Sequence, residues 1–133
     1  MDVLATKEKL IEQAFAKALE KLQAFTKEPA YVSLLEHLIL EGAMGLGGGE
    51  LHVQTNHNDS LQVQDLRKLE KIISDRTKTE TTLYLLPDRI NCIGGALIKK
   101  ADGSIFIDNT FEAKLARQRR ELRVLVSKTL FGD

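Results

Sequence analysis

The stretch GGALIKKADGSIFIDNT, residues 94–110, carries the clearest local structural signal in the chain. Its centre, Asp102-Gly103, is typical of a tight two-residue hairpin turn, because that turn needs positive φ at both positions. The residues on both sides are strand-like, in two runs: 96–100 and 104–108. The stretch therefore predicts an antiparallel β-hairpin late in the chain.

A helix is expected directly after this hairpin, from about residue 110 to residue 130. Asn109 offers its side chain as a helix cap, and Glu112 follows three residues later to complete a capping box. The predicted apolar side of the helix consists of four residues: Phe111, Leu115, Leu122 and Val126.

Five further elements precede the hairpin. Apolar residues at helical spacing predict three helices, at 3–26, 29–44 and 60–74, and two runs typical of strands lie at 50–55 and 81–86. The second of these runs is apolar on both faces, which favours a central strand. A strand–helix–strand unit places its two strands parallel. The chain is therefore predicted to be α+β, with a four-stranded mixed sheet and packed helices.

Two short patterns refine this outline. Asp59 with Gln62 resembles a capping box for the helix at 60–74. The second helix, at 29–44, carries a wide apolar face and places His37 opposite it, which indicates a solvated histidine. This predicted face consists of Tyr31, Leu34, Leu35, Leu38 and Ile39.

The first helix has coiled-coil character. Its narrow apolar stripe suits a two-stranded seam better than the wider face of a core helix. The predicted partner face consists of Leu4, Ile11, Phe15, Ala18 and Leu22. A second interpretation stays open, in which the helix lies on the surface of its own domain.

The segment EGAMGLGGGELHV, residues 41–53, holds five of the nine glycines of the chain. A nucleotide-binding loop needs a strand before its glycines and a helix after them. Here the order is reversed, and the C-terminal end of a helix disfavours phosphate. We expect Gly45 to lie at the helix end and residues 47–49 to form an exposed, mobile connector.

Composition excludes several classes of function. The 19 basic and 19 acidic residues balance, and aromatic residues make up 5% of the chain, so nothing favours nucleic acid or an anionic membrane. The three histidines and the single cysteine, Cys92, have no metal-ligand or nucleophile spacing. We expect no catalytic residues, no metal and no cofactor.

One charged cluster allows an alternative. The last helix carries five basic residues: Lys114, Arg117, Arg119, Arg120 and Arg123. They could contact phosphates in a small nucleic-acid-binding module. They could instead pair with acidic side chains of the first and third helices.

The last forty residues resemble the E subunit of the archaeal and vacuolar-type (A/V-type) rotary ATPases, in its C-terminal domain. The pattern is a Gly-Gly, a strand, a glycine-containing hairpin, a second strand, Asn-Thr, an acidic helix start and a helix ending near Leu-Phe-Gly. The motif positions that match are Gly94, Gly95, Asp102, Gly103, Ile105, Ile107, Asp108, Asn109, Thr110, Phe111, Glu112, Leu130, Phe131 and Gly132. Lys114 departs from the family, which usually has arginine there.

The resemblance implies a non-catalytic stator subunit in a proton- or sodium-translocating ATPase or ATP synthase. Residues 1–27 would be the end of a longer peripheral-stalk helix, and residues 28–133 the globular domain that binds the catalytic head. The implied partners are a helical stalk subunit, called H in archaeal-type and G in eukaryotic-type complexes, and the B subunit of the catalytic head. The location implied is peripheral, on the cytoplasmic side of the membrane, reached only through the complex.

Overall fold

The computed structural model describes residues 3–63 and 65–131, without the side chains of residues 4, 126, 127 and 129–131. This part of the chain folds into five helices and four strands. In chain order they are α1 (Val3–Phe25), α2 (Tyr31–Gly45), β1 (Glu50–Gln54), α3 (His57–Ser60), α4 (Arg67–Thr77), β2 (Thr82–Leu85), β3 (Gly95–Lys100), β4 (Phe106–Thr110) and α5 (Phe111–Phe131). None of these helices is long and apolar enough to span a membrane.

The four strands form one mixed sheet in the order β2-β1-β3-β4. β1 and β2 are parallel, whereas β3 is antiparallel to both β1 and β4. The predicted α+β class and the parallel strand–helix–strand unit are therefore confirmed. The central position predicted for residues 81–86 is wrong, because β2 is an edge strand. Its run is apolar on both faces because Leu83 enters the core while Tyr84 stays 60% exposed on the other side.

The hydrophobic core lies between one face of the sheet and the helices α2 and α4. Alternation along β1 sends Leu51 and Val53 into this core, where both are fully buried. The predicted apolar face of α2 is largely confirmed, since Tyr31, Leu35 and Ile39 are also fully buried. His37 is exposed beside Glu41, as expected of a solvated helix histidine. The opposite face of the sheet stays partly open.

The helix predicted at 60–74 is two helices. Asn56, not Asp59, caps the first of them, because its side-chain oxygen accepts from the backbone N–H of Asp59 at 2.7 Å. The carboxylate of Asp59 is 2% exposed and points into the protein, where it accepts from the hydroxyl of Tyr31 instead of capping a helix. The chain then breaks from the helical path before α4, and the buried side chains of Val63 and Leu66 join the core there.

The hairpin between β3 and β4 is confirmed, but its turn is not the two-residue type. The strands are joined by five residues, 101–105, and among residues 101–105 only Gly103 has positive φ, at 76°. Asp102 instead accepts from the backbone N–H of Ser104 at 2.8 Å. The longer loop lets the N–H of Ala101 bond to Glu50 in β1, which attaches the turn to the sheet.

The cap of α5 also differs from the prediction. Thr110 caps the helix, because its hydroxyl oxygen accepts from the backbone N–H of Ala113 at 3.2 Å. The side-chain amide of Asn109 donates instead to the carbonyl of Leu38 in α2, at 2.9 Å. The capping role predicted for Asn109 and Glu112 is therefore wrong, since a buried tertiary bond takes the Asn109 side chain away from the helix start.

Some predictions for the end of α5 concern positions outside the described part of the chain. They concern the apolar side chain of Val126, the motif side chains of Leu130 and Phe131, and the motif glycine Gly132. These four positions stay predictions of the sequence.

The glycine-rich connector is confirmed as the route from α2 to β1. Gly45 ends α2, and three residues with φ of 81°, 75° and 96° follow at Gly47, Gly48 and Gly49. The expectation that all three are exposed is wrong, because Gly48 is buried against α4. A Cβ there would lie 2.6 Å from the hydroxyl oxygen of Thr81, so only glycine fits at Gly48. The mobility of this segment stays a prediction.

Candidate interaction surfaces

The motif residues near the hairpin meet at one buried junction, where β3 begins, β4 ends and α5 starts. Tyr31 of α2 stands at its centre. Its hydroxyl donates to Asp59 at 2.5 Å and accepts from the backbone N–H of Gly95 at 2.9 Å. Its ring packs edge-to-face on Phe111, with the centroids 5.9 Å apart. The first turn of α5 is thereby held against α2.

The double glycine of the motif leaves room for close contacts at this junction, with side chains at Gly94 and with backbone at Gly95. A Cβ on Gly94 would lie 2.6 Å from the hydroxyl oxygen of Tyr31. Gly95 has a φ of 93°, and a Cβ there would collide with the carbonyl oxygen of Asn109. The carboxylate of Glu112 closes the junction by accepting from the N–H of Ile93 at 2.9 Å. These positions therefore hold β3, β4 and α5 together.

Sequence reasoning missed the central pair of this junction. It assigned Tyr31 to an apolar helix face and Asp59 to a helix cap, because a bond across 28 residues leaves no local pattern. Burial raises the pKa of the Asp59 carboxyl, against the opposing effect of the Tyr31 hydroxyl that donates to it. Burial also raises the pKa of Tyr31. The pair is a buried hydrogen bond that joins α2 to α3.

The remaining candidates for chemistry are equally unreactive. Burial raises the pKa of the Cys92 thiol to about 12, so little nucleophilic thiolate forms at neutral pH. Within residues 3–63 and 65–131, no group of three His, Cys, Asp or Glu side chains could hold a metal ion. The glycine connector lies at the C-terminal end of α2, which disfavours anions.

The second notable region is the antiparallel pair formed by α1 and α5. Arg123 of α5 reaches Glu8 at 2.6 Å and Glu12 at 2.5 Å, both on α1. Arg119 lies 3.5 Å from Glu12, with its guanidinium 5.6 Å from the ring centroid of Phe15. The interpretation that these two arginines pair with the first helix is confirmed. This pairing leaves them less available to phosphates than an unpaired basic stripe would be.

An apolar groove runs along the same helix pair. It is lined by Phe15, Ala16 and Leu19 from α1 and by Leu115 and Ala116 from α5. The groove is partly open to solvent, and the ion pair between Glu12 and Arg119 lies at its rim.

The predicted partner face of α1 is divided between covered and accessible positions. Ile11 is 7% exposed, Leu22 packs against the core, and Phe15 is half-buried under Arg119. Ala18 is half-buried, and the side chain of Leu4 lies outside the described residues. A different pair of apolar side chains is fully accessible, because Val3 and Leu10 are each 59% exposed. Their spacing of seven residues was the sequence signal for this second stripe.

The structure is thus a long helix joined to a small mixed-sheet domain, whose strongest sequence motif serves internal packing. The family model described as ATP synthase (E/31 kDa) subunit matches residues 1–131. The chain belongs to this family.

Curated relatives agree with this assignment. The chain is 38% identical to the E subunit of the A-type ATP synthase of Methanothermobacter thermautotrophicus over 130 residues, which cover 96% of this chain and 63% of the relative. It is 40% identical to the corresponding protein of Methanobrevibacter smithii over 133 residues, covering 98% and 64%. Against that of Thermococcus gammatolerans the identity is 35% over 129 residues, covering 97% and 62%. The chain thus spans slightly less than two thirds of these relatives.

Proposed function

We propose that the chain is part of the peripheral stalk, or stator, of an archaeal or vacuolar-type rotary ATPase that moves protons or sodium ions. The stator holds the catalytic head against the torque of the rotor, so that ion transport stays coupled to ATP synthesis or hydrolysis. The chain itself is non-catalytic and acts through its grip on two neighbours. It lies on the cytoplasmic side of the membrane and reaches the membrane only through the complex.

The observation that carries this proposal is the family match across residues 1–131, which includes both α1 and the sheet domain. The structure supports it through the construction of α1. One side of this helix is braced on α5 by ion pairs from Arg119 and Arg123, while Leu10 on another side stays exposed. A helix braced on one side and apolar on another suits a stalk that transmits force to a second helix.

The partner of α1 would be the helical stalk subunit, called H or G, and the partner of the sheet domain would be the B subunit of the head. The seam of Leu4, Ile11, Phe15, Ala18 and Leu22 remains our proposal for the helical contact. Part of that seam lies against α5, so the partner helix either displaces α5 from it or adds beside it, along Val3 and Leu10.

Substitutions at neighbouring residues of α1 distinguish these two arrangements. The double variant Ile11→Asp/Phe15→Asp introduces charge into the seam, whereas Leu10→Asp introduces it on the accessible side. We measure capture of the helical stalk subunit by each variant and, separately, the melting temperature of each variant alone. Loss of capture with Leu10→Asp at an unchanged melting temperature places the partner beside α5. Loss of capture with the double variant alone places it on the seam.

The proposal has a clear contrary result. If wild-type chain fails to capture the helical subunit, or if both variants capture it as well as wild type, α1 is not the stalk contact. The nucleic-acid alternative gains no specific support from the structure, because Arg119 and Arg123 are paired with glutamates of α1.

A further inference from the structure

One row of side chains crosses all four strands on the open face of the sheet. Tyr84 of β2 is paired in register with His52 of β1, His52 with Lys99 of β3, and Lys99 with Phe106 of β4. Neighbouring strands lie about 4.8 Å apart, so the two aromatic ends of this row are about 14 Å apart. We call Tyr84, His52, Lys99 and Phe106 the cross-strand row.

The ends of the cross-strand row are unusually apolar for an open surface. Tyr84 is 60% exposed and Phe106 is 62% exposed. Tyr84 is partly ordered by His52, whose ring centroid lies 5.8 Å away. Exposed aromatic side chains grouped on one face mark a surface that becomes buried against another molecule.

The middle of the row carries an unpaired cation. Lys99 is half-buried, and no carboxylate of the described residues lies within the 4 Å of its ammonium that an ion pair requires. Glu50 and Asp108 stand on the neighbouring rows of the same face, but neither reaches it. Covering Lys99 without a counter-charge would cost free energy, so we expect a protein segment that binds here to supply a carboxylate.

The sheet cannot recruit a partner by adding a strand at Leu83 or at Asp108. On β2, the outward N–H of Leu83 is taken by the carboxylate of Glu70 at 2.7 Å. On β4, the outward carbonyl of Asp108 accepts from the guanidinium of Arg117 at 3.1 Å. Side chains thus cover one outward backbone group at each edge, whereas the aromatic side chains of the open face stay exposed.

We propose that the cross-strand row docks a protein segment that presents one carboxylate to Lys99 and apolar side chains to Tyr84 and Phe106. This inference rests on the proposed stator role for the identity of the partner, which would be the catalytic head. Nucleic acid fits less well, because the face offers one lysine and a histidine, with Glu50 and Asp108 flanking them.

The test compares the affinity of the catalytic head for this chain and its variants, each bound to the helical stalk subunit. Tyr84→Ser/Phe106→Ser and Lys99→Glu should each weaken binding at least tenfold. Lys99→Arg should stay within twofold of wild type, because it keeps the positive charge. Val124→Ser is the matched control, since Val124 is 54% exposed but lies on α5. All variants should melt within a few degrees of wild type, because the changed side chains are largely solvated or at the surface.

Each result decides the matter. Head binding that is unchanged in both the double variant and Lys99→Glu overturns the docking surface and leaves the stator role standing. Absence of any head binding by wild type overturns both. If wild type binds a fluorescent single-stranded oligonucleotide and the double variant loses that binding, the face serves nucleic acid and the inference is wrong.

Discussion

The junction around Tyr31 and the α1–α5 pair are held together by different physics. At the junction, buried hydrogen bonds meet at one hydroxyl, and two glycines leave room for close contacts with side chains and backbone. Between α1 and α5, the shortest polar contacts are ion pairs whose side chains are roughly 40% exposed, beside a partly open groove. Buried bonds of the first kind are costly to lose, whereas exposed ion pairs contribute little. The junction therefore fixes the fold, and the helix pair is free to respond to a partner.

Among the variants that test this contrast, Gly95→Ala should cause the largest loss of stability. The substitution combines a left-handed conformation, worth about 1–2 kcal/mol, with a collision against the backbone of Asn109. We expect a loss of about 4 kcal/mol or more in the free energy of unfolding, measured by urea denaturation. Gly47→Ala is the control, because Gly47 has a similar φ of 81° but nothing within 4 Å of an added Cβ. Equal losses in the two variants would show that the close approach at Gly95 has no energetic weight.

Tyr31→Phe should cause the next largest loss of stability. It removes the donor to Asp59 and the acceptor for the N–H of Gly95 while keeping the aromatic ring. Leaving two buried polar groups unsatisfied should lower the free energy of unfolding by about 3 kcal/mol. Phe25→Leu, which changes a partly buried ring beside Tyr31, should cost less. A loss below about 1 kcal/mol in Tyr31→Phe would contradict the central role of the hydroxyl.

The junction should also give the protein a pH dependence that Asp59→Asn removes. The pKa of Asp59 is raised in the folded state, so the folded chain binds its proton more tightly than the unfolded chain. The contribution of Asp59 to stability is thus greatest below the ordinary pKa of 3.8, falls as pH rises through the folded pKa, and is level above it. Urea denaturation across a range of pH from about 3 to 7 should show wild type losing stability relative to Asp59→Asn.

Asp102 provides the control of opposite sign. Hydrogen bonds from Ser104 lower the pKa of its carboxyl, so its contribution is present above 3.8 and lost as pH falls through the folded pKa. Asp102→Asn should therefore remove the part of the loss of stability at low pH that is due to Asp102. If Asp59→Asn and Asp102→Asn changed the pH profile in the same direction, the assignment of a buried, raised pKa to Asp59 would be wrong.

Arg123→Ala should have the smallest effect, although Arg123 makes the shortest ion pairs between the helices. Its partners are about half solvated, so the loss should be about 0.5–1 kcal/mol and should shrink with added salt. Thermal melting at low and high ionic strength measures both quantities. A loss as large as that of Tyr31→Phe would show that the helix pair is as firmly fixed as the junction.

The two regions also differ in how well the sequence predicted them. Helical periodicity and strand alternation were enough for α1, α2, β1 and the hairpin, because local spacing determines which side of each element is apolar. The bonds that join these elements were not predictable in the same way. The side chain of Asn109 was available to a helix start by its position, and only the fold brings Leu38 close enough to take it.

The interaction surfaces show the same limit. The apolar residues of α1 were visible in the sequence, but their spacing did not tell which of them α5 would cover. Ile11 became buried and Leu10 stayed exposed, although they are adjacent. The cross-strand row was not visible at all, since its four members come from four strands and meet only through the register of the sheet.

We propose that this chain couples the catalytic head to the membrane sector without taking part in the chemistry. The most direct measurement compares ATP hydrolysis and ion transport in complexes assembled with and without it. We expect complexes that lack the chain to keep hydrolysing ATP while losing ion transport, and restored chain to recover transport. Transport that persists at the wild-type ratio to hydrolysis in its absence would contradict the claim.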